Sequence, residues 1–327
     1  MSYYNTVRLQ YSLNTNSFKG PASMEGWFNF LGWLLSIITV AGNGFVVFFI
    51  SKNRRLYSSA NWFVVSLAVA DFGVGVVVFP IGYLCFEVTS CNLRMYMAFH
   101  WFFLHSSVTN LCTLTWDRYT AIVHPFKYQT CMTARRPRIV ILLAWILPLV
   151  VSLALVLGMY ATNSLIAWKI LRISGVSAFD ILACLFLGYG VVRIISVARA
   201  KAKEDSAIQR SLGSVELQEV QNQSSTKSRP RHRRNNRNTS LFLIAIVLFF
   251  LGCHSVVNYL TMCITFSCSV SDDIASRILT LFLTVNSGVN PLVYAFLKRD
   301  IKTELKQLIC SENGNSHSER SNPDRLL

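Results

Sequence analysis

An acid and a base side by side, Asp117 and Arg118, close the third of seven apolar stretches in this 327-residue chain. At a membrane edge such a pair can hold the guanidinium in one state and release it in another. Asn290-Pro291-Leu292-Val293-Tyr294 lies inside the last stretch, where Pro291, lacking a backbone donor, weakens a helix at one point. Asp71 ends the apolar run Leu67-Ala68-Val69-Ala70, a place where a carboxylate is expensive unless something binds it. This is the chemistry of switched charge rather than of bond-making. No His-Glu-x-x-His or Gly-x-Ser-x-Gly pattern occurs, and the nine cysteines show no metal-ligand spacing. The expectation is therefore no enzyme, and no cofactor beyond a bound ion.

The elements that must position these groups are membrane helices. The chain is 52% hydrophobic, 13% aromatic and only 14% charged, against about a quarter charged in a soluble domain. Seven runs approach the ~20 apolar residues a span needs. They are Trp27–Ile50, Trp62–Leu84, Tyr96–Ala121, Ile139–Tyr160, Val176–Ala198, Ser240–Phe266 and Ile278–Leu297. The fifth is the weakest, because Asp180 and Arg193 interrupt it. With no water in the bilayer core, all seven must be helices, so the fold class is an all-α, seven-helix membrane bundle.

Charge sets the orientation. Of 31 Lys and Arg residues, 25 fall on one side of this topology: Lys52, Arg54 and Arg55; the segment Arg118–Arg138; the long loop Arg193–Arg237; and the tail from Lys298. That side faces the cytoplasm and residues 1–26 lie outside. The net charge of +15 thus predicts contact with anionic lipid rather than nucleic acid. Residues 27–297 form the bundle. The loop from about 199 to 239, rich in Ser, Gln, Asn, Lys and Arg, is expected to be largely disordered. Residues 298–310 carry apolar positions at Ile301, Leu305 and Leu308 and predict an amphipathic helix on the inner membrane surface. Cys310 at its end is a candidate palmitoylation site, and 311–327 form a polar cytoplasmic tail.

The ordered set Gly42-Asn43, Leu67–Asp71, Asp117-Arg118-Tyr119 with Ile122 and Pro125, Trp145, Phe250 with Cys253, and Asn290-Pro291-x-x-Tyr294 resembles the rhodopsin-like (class A) G-protein-coupled receptors over most of the chain. The first inner loop, the Leu67–Asp71 region and Asp117–Tyr128 look most like amine-type receptors, including trace-amine-like and adenosine-like ones. The resemblance implies a plasma-membrane receptor that passes an extracellular small-molecule signal to a heterotrimeric G protein. It implies that Asp117 restrains Arg118 at rest, that Tyr294 swings inward on activation, and that Pro125 and Phe126 meet the G protein. It also implies a sodium site of Asp71, Ser107, Asn286, Ser287 and Asn290, a donor set suited to a hard cation. A constitutively active or uncoupled receptor-like protein is the alternative. A membrane transporter is the reading from another class, disfavoured by the absence of an internal repeat.

The chain departs from the family pattern in ways that predict altered behaviour. Asn236 stands where many relatives carry the acid that pairs with the Arg, so raised basal activity is expected. The sixth span reads Cys253-His254-Ser255-Val256 in place of Cys-Trp-x-Pro. The loop Ala161–Ser174 has no cysteine for the usual staple; Cys91 with Cys268, Cys263 with Cys268, or a free Cys91 remain open.

His100 occupies the position of the amine-binding acid, roughly 25 Å outward from Asp117 along a helix. An imidazole is a poor partner for an ammonium ion, so a conventional amine ligand is not expected. The candidate pocket is His100, Trp101, Leu104 and His105 with His254, Val257, Asn258, Thr261, Thr280 and Thr284. Thr284 stands where light receptors carry their retinal-binding Lys, which argues against an opsin.

Overall fold

The computed structural model describes residues 22–88, 91–126, 128, 135–161, 164–219, 230–266, 272–298, 301–305 and 307. Among these residues every regular element is a helix. Seven are long: α1 (Ala22–Lys52), α2 (Ser59–Val76), α3 (Leu93–Val123), α4 (Arg135–Ala161), α5 (Ala178–Glu219), α6 (Pro230–Phe266) and α7 (Asp272–Leu297). Two starts are capped by side chains that accept otherwise orphaned amides: Ser58 takes that of Asn61 at the head of α2, and Asn92 those of Arg94 and Met95 at the head of α3. Pro80 cannot donate to the helix ladder, and α2 accordingly passes into a π turn over Val77–Ile81.

The helices close into a ring in which α1 touches α2 and α7, α7 touches α6, and α6 touches α5. α3 lies inside and packs on α2, α4, α5 and α6. This placement explains its composition. Six of the helices are long and apolar enough to cross a membrane; α3 does not reach that mark. Its polar residues His105, Ser106, Ser107, Thr109, Asn110 and Thr115 are instead buried against its neighbours. Asn110 accepts from the Ser66 hydroxyl at 2.6 Å, Trp145 Nε1 donates to that hydroxyl at 2.9 Å, and Thr109 donates to the Ala144 carbonyl at 2.7 Å. These bonds join α2, α3 and α4.

Phe63, Leu67, Leu114, Leu187 and Phe250 fill the centre, while Phe48, Leu143, Leu153, Leu182 and Leu185 point outward. Apolar residues on both faces are what a helix between protein and lipid requires. Close approach favours glycine at several places, two of them against α7 and α3. A Cβ on Gly42 would stand 3.0 Å from Pro291 Cγ of α7, and one on Gly73 would stand 2.1 Å from the Phe103 ring of α3.

Three expectations change. The helix of α5 continues past Ala198 to Glu219, and α6 begins at Pro230, so the described parts of 199–239 are helical rather than disordered. Ala, Lys, Glu and Gln are strong helix formers, and a helix already nucleated in the membrane extends through them without needing an apolar face. Secondly, the outer disulfide joins Cys85 to Cys91, with Cα atoms 5.1 Å apart, and Cys263 is a buried free thiol. Cys91 is therefore neither free nor joined to Cys268, because the chain turns after α2 and brings Cys85 beside it. Cys268 lies outside the described residues. Thirdly, most of the helices run longer than the apolar runs, α4 starting at Arg135 rather than Ile139, while α2 as an α-helix stops at Val76.

After α7, Ile301–Leu305 is helical; Ile301 is buried and Leu305 packs on the core. Cys310 and residues 311–327 lie outside the described residues.

Closing so short a loop, the Cys85–Cys91 bond should contribute about 2 kcal/mol through loop entropy. We expect the double variant Cys85→Ser/Cys91→Ser to lower the melting temperature of the purified protein, and non-reducing peptide mapping to recover Cys85 joined to Cys91.

Candidate functional site

The polar groups of the bundle gather at three depths. At the inner end of α3, Asp117 is fully buried. Arg118 Nε donates to its Oδ2 at 2.8 Å and Nη2 makes a second contact to the same oxygen. The other oxygen accepts from the Tyr128 hydroxyl at 2.9 Å. Tyr128, in the second inner loop, was not among the residues the sequence singled out. Burial, and after it the Asp117 charge, push its phenol up to about 12. Tyr119 packs partly buried on the core, its ring 6.5 Å from that of Tyr189 on α5. Pro125 is half-buried, and Phe126 is 86% exposed at the inner face.

In mid-bundle, Asp71 of α2 has no exposed surface. Ser107 of α3 donates to its Oδ1 at 2.6 Å, and Asn290 of α7 donates to its Oδ2 at 2.7 Å. The Ser287 hydroxyl lies close enough to bond the same carboxylate. Asn43 of α1 donates to the Ser287 carbonyl at 3.2 Å and so backs the group from the far side. Asn286 is buried on the same helix, one turn before Asn290. Tyr294 is fully buried, one turn of α7 below Asn290. A buried carboxylate ringed by two hydroxyls and a side-chain amide is a donor set that suits a hard cation.

Towards the outside the expected pocket divides. Asp180 of α5, read from sequence as a flaw in the fifth span, is buried and receives two residues of α6. His254 Nδ1 lies 2.6 Å from its Oδ1, off the line of a directed hydrogen bond, and Asn258 Nδ2 donates to its Oδ2. The His254 ring stacks on Phe250 with centroids 3.8 Å apart. His105 of α3 faces Phe179, the neighbour of Asp180, at 4.4 Å. His105, His254 and Asn258 thus converge.

His100 does not join them. Its Nδ1 pairs with the Tyr96 hydroxyl at 3.2 Å, and that hydroxyl donates to the Val78 carbonyl of α2. Thr261, Thr280 and Thr284 bond carbonyls of their own helices. Val257 is buried, and Trp101 and Leu104 are half-buried. Asp180 carried a signal the sequence reading passed over, since an acid within a span needs a partner.

The comparisons with known proteins point one way. Residues 42–294 match the family described as the 7 transmembrane receptor (rhodopsin family). The histamine H2 receptor of Cavia porcellus is 27% identical over 321 residues, covering 90% of this chain and 83% of that protein. The octopamine receptor beta-2R of Chilo suppressalis is 25% identical over 334 residues with the same coverage. The alpha-2B adrenergic receptor of Equus caballus is 35% identical over 126 residues, 36% of this chain and 32% of that one.

Tyr128→Phe removes a donor to a buried carboxylate, a bond to a charged group worth about 1.5–3 kcal/mol. We expect a lower melting temperature, with the deficit constant between about pH 6 and pH 9. A phenol raised to about 12 contributes fully below its ordinary value near 10 and loses that contribution as pH climbs through 12. Thermal melts of both proteins across that range check the sign.

Proposed function

Since this chain belongs to the rhodopsin family of seven-transmembrane receptors and so signals through G proteins, we propose that Arg118 is its output switch and Asp71 its ion-sensitive centre. The observation that carries this reading is the Asp117 carboxylate, buried and gripped by both Arg118 and Tyr128. In the resting state the guanidinium bonds Asp117 on its own helix. When α6 moves outward, Arg118 turns from Asp117 to meet the G protein. Phe126, an exposed aromatic at the cytoplasmic face, offers the apolar plug, with Pro125 fixing its turn. On this reading the protein sits in the plasma membrane with its N-terminus outside, as the bias of basic residues favours.

Asp71 joins α2, α3 and α7 through a single carboxylate. A sodium ion held there with Ser107, Asn286, Ser287 and Asn290 would neutralise it and favour the arrangement that keeps the three helices together. Pro291, against which α1 seats at Gly42, leaves α7 a point at which Tyr294 can swing inward. A ligand acts by binding one member of this equilibrium better than the other.

For the ligand, the similar proteins are named for histamine and octopamine, yet this chain lacks an acid on the outer part of α3. His100 is engaged by Tyr96 instead. We place a small polar organic ligand between α3, α5, α6 and α7, held otherwise than by an ammonium contact to α3.

Ligand-free G-protein activation in cells, at matched surface level, tests the switch. Arg118→Ala should abolish it; equal basal signalling from both proteins would remove Arg118 from that role. Asp71→Asn should erase the response of basal activity to replacing sodium with a large organic cation, whereas the wild type should rise when sodium is withdrawn. The same sodium response in both would exclude the ion from this centre.

A further inference from the structure

We infer that Asp180, His254 and Asn258 form an interhelical latch that holds α6 in its resting rotation against α5, in place of the Trp and Pro this chain lacks. The inference rests on the receptor reading above, since it concerns the restraint on the same switch.

The geometry carries it. His254 and Asn258 are four residues apart and so lie one above the other on a single face of α6. One carboxylate, Asp180, meets both: Oδ1 faces His254 Nδ1 at 2.6 Å, and Oδ2 accepts from Asn258 Nδ2. A contact to one turn of a helix permits the helix to pivot; contacts to two successive turns fix its rotation about its own axis. Asn258 is itself braced, donating also to the His254 carbonyl at 2.9 Å. The latch is dry, with His254 and Asp180 4% and 7% exposed. Opening it would strand a carboxylate in low dielectric, which makes the closed form the favoured one.

The latch also reaches the core. His254 stacks on Phe250, and Phe250 is fully buried in the cluster that contains Leu111 and Leu114 of α3 and Leu187 of α5. Holding the imidazole therefore holds the aromatic ring beneath it. A rotation of α6 must first part His254 from Asp180 and then slide Phe250 out of its place between α3 and α5. Phe179 beside Asp180 faces His105, so a third helix, α3, borders the latch.

The test is ligand-free G-protein activation per receptor at the surface. His254→Phe keeps the stack on Phe250 and removes the nitrogen; Asp180→Leu removes the carboxylate; Asn258→Leu removes the second prong. Each should raise basal activity at least threefold. The double variant Asp180→Leu/His254→Phe should rise no further than the larger single, because both remove one interaction. Mere loosening of the bundle would instead make the effects multiply. Should Asp180→Leu fail to reach the surface, Asp180→Asn, which keeps the size and loses the charge, should show a smaller rise in the same direction. Basal activity unchanged or reduced in His254→Phe, or effects that multiply, overturns the latch. Adding Arg118→Ala to His254→Phe separates the two readings: activity that persists there sinks the Arg118 switch and leaves the latch standing.

Discussion

Buried polar groups that must find partners without water govern this bundle. α3 is too polar to cross a bilayer in contact with lipid, so it crosses inside the ring, covered by α2, α4, α5 and α6. Several of the polar residues it brings are met by a neighbouring helix, since an unpaired hydroxyl or amide in hydrocarbon costs several kcal/mol. Asn110 and Ser66, Thr109 and Ala144, Ser107 and Asp71 are such meetings. They fix the angular position of α3, and with it the place where Arg118 emerges at the inner face.

The same constraint makes carboxylates the natural joints. Three aspartates lie within the spans and each is bound by residues from elsewhere in the fold: Asp71 by α3 and α7, Asp117 by Arg118 and the second inner loop, Asp180 by α6. A joint built on one buried charge is stiff while closed, and costly with one side removed. Movement between two such arrangements is consequently discrete, as a switch requires.

Much of this was legible from residue types. Seven spans followed from length and apolarity, and Asp71 with Ser107 and Asn290 from ordered motifs across separate helices. What escaped did so for identifiable reasons. Asp180 weakened an apolar run and so counted against a span, although the rule that a membrane acid needs a partner would have marked it as a site. Tyr128 lies eleven residues from Asp117 in a loop whose path no periodicity predicts. The Cys85–Cys91 bond depends on π turns at the end of α2 that return the chain towards α3, a backbone irregularity only faintly signalled by Pro80. The helical continuation of α5 to Glu219 is not legible in hydrophobicity, which is low there; its Ala, Lys and Glu content favours helix without any core to bury.

The departures from the family pattern compensate one another. Asn236 cannot supply the charge that in many relatives ties the inner end of α6 to α3, and Arg118 is held by Asp117 on its own helix. A receptor with only that restraint would leave α6 free to turn. The missing Trp and Pro would add to this, since a helix without proline keeps its ladder intact and rotates as one rod. A rod can be held at any point along its length. His254 and Asn258 both meet Asp180 about half-way along the membrane part of α6, Asn258 by donating and His254 by close approach, and one grip there restrains the inner end as well. The imidazole on α6 and the acid on α5 are each costly in a membrane alone, and each offsets the cost of the other.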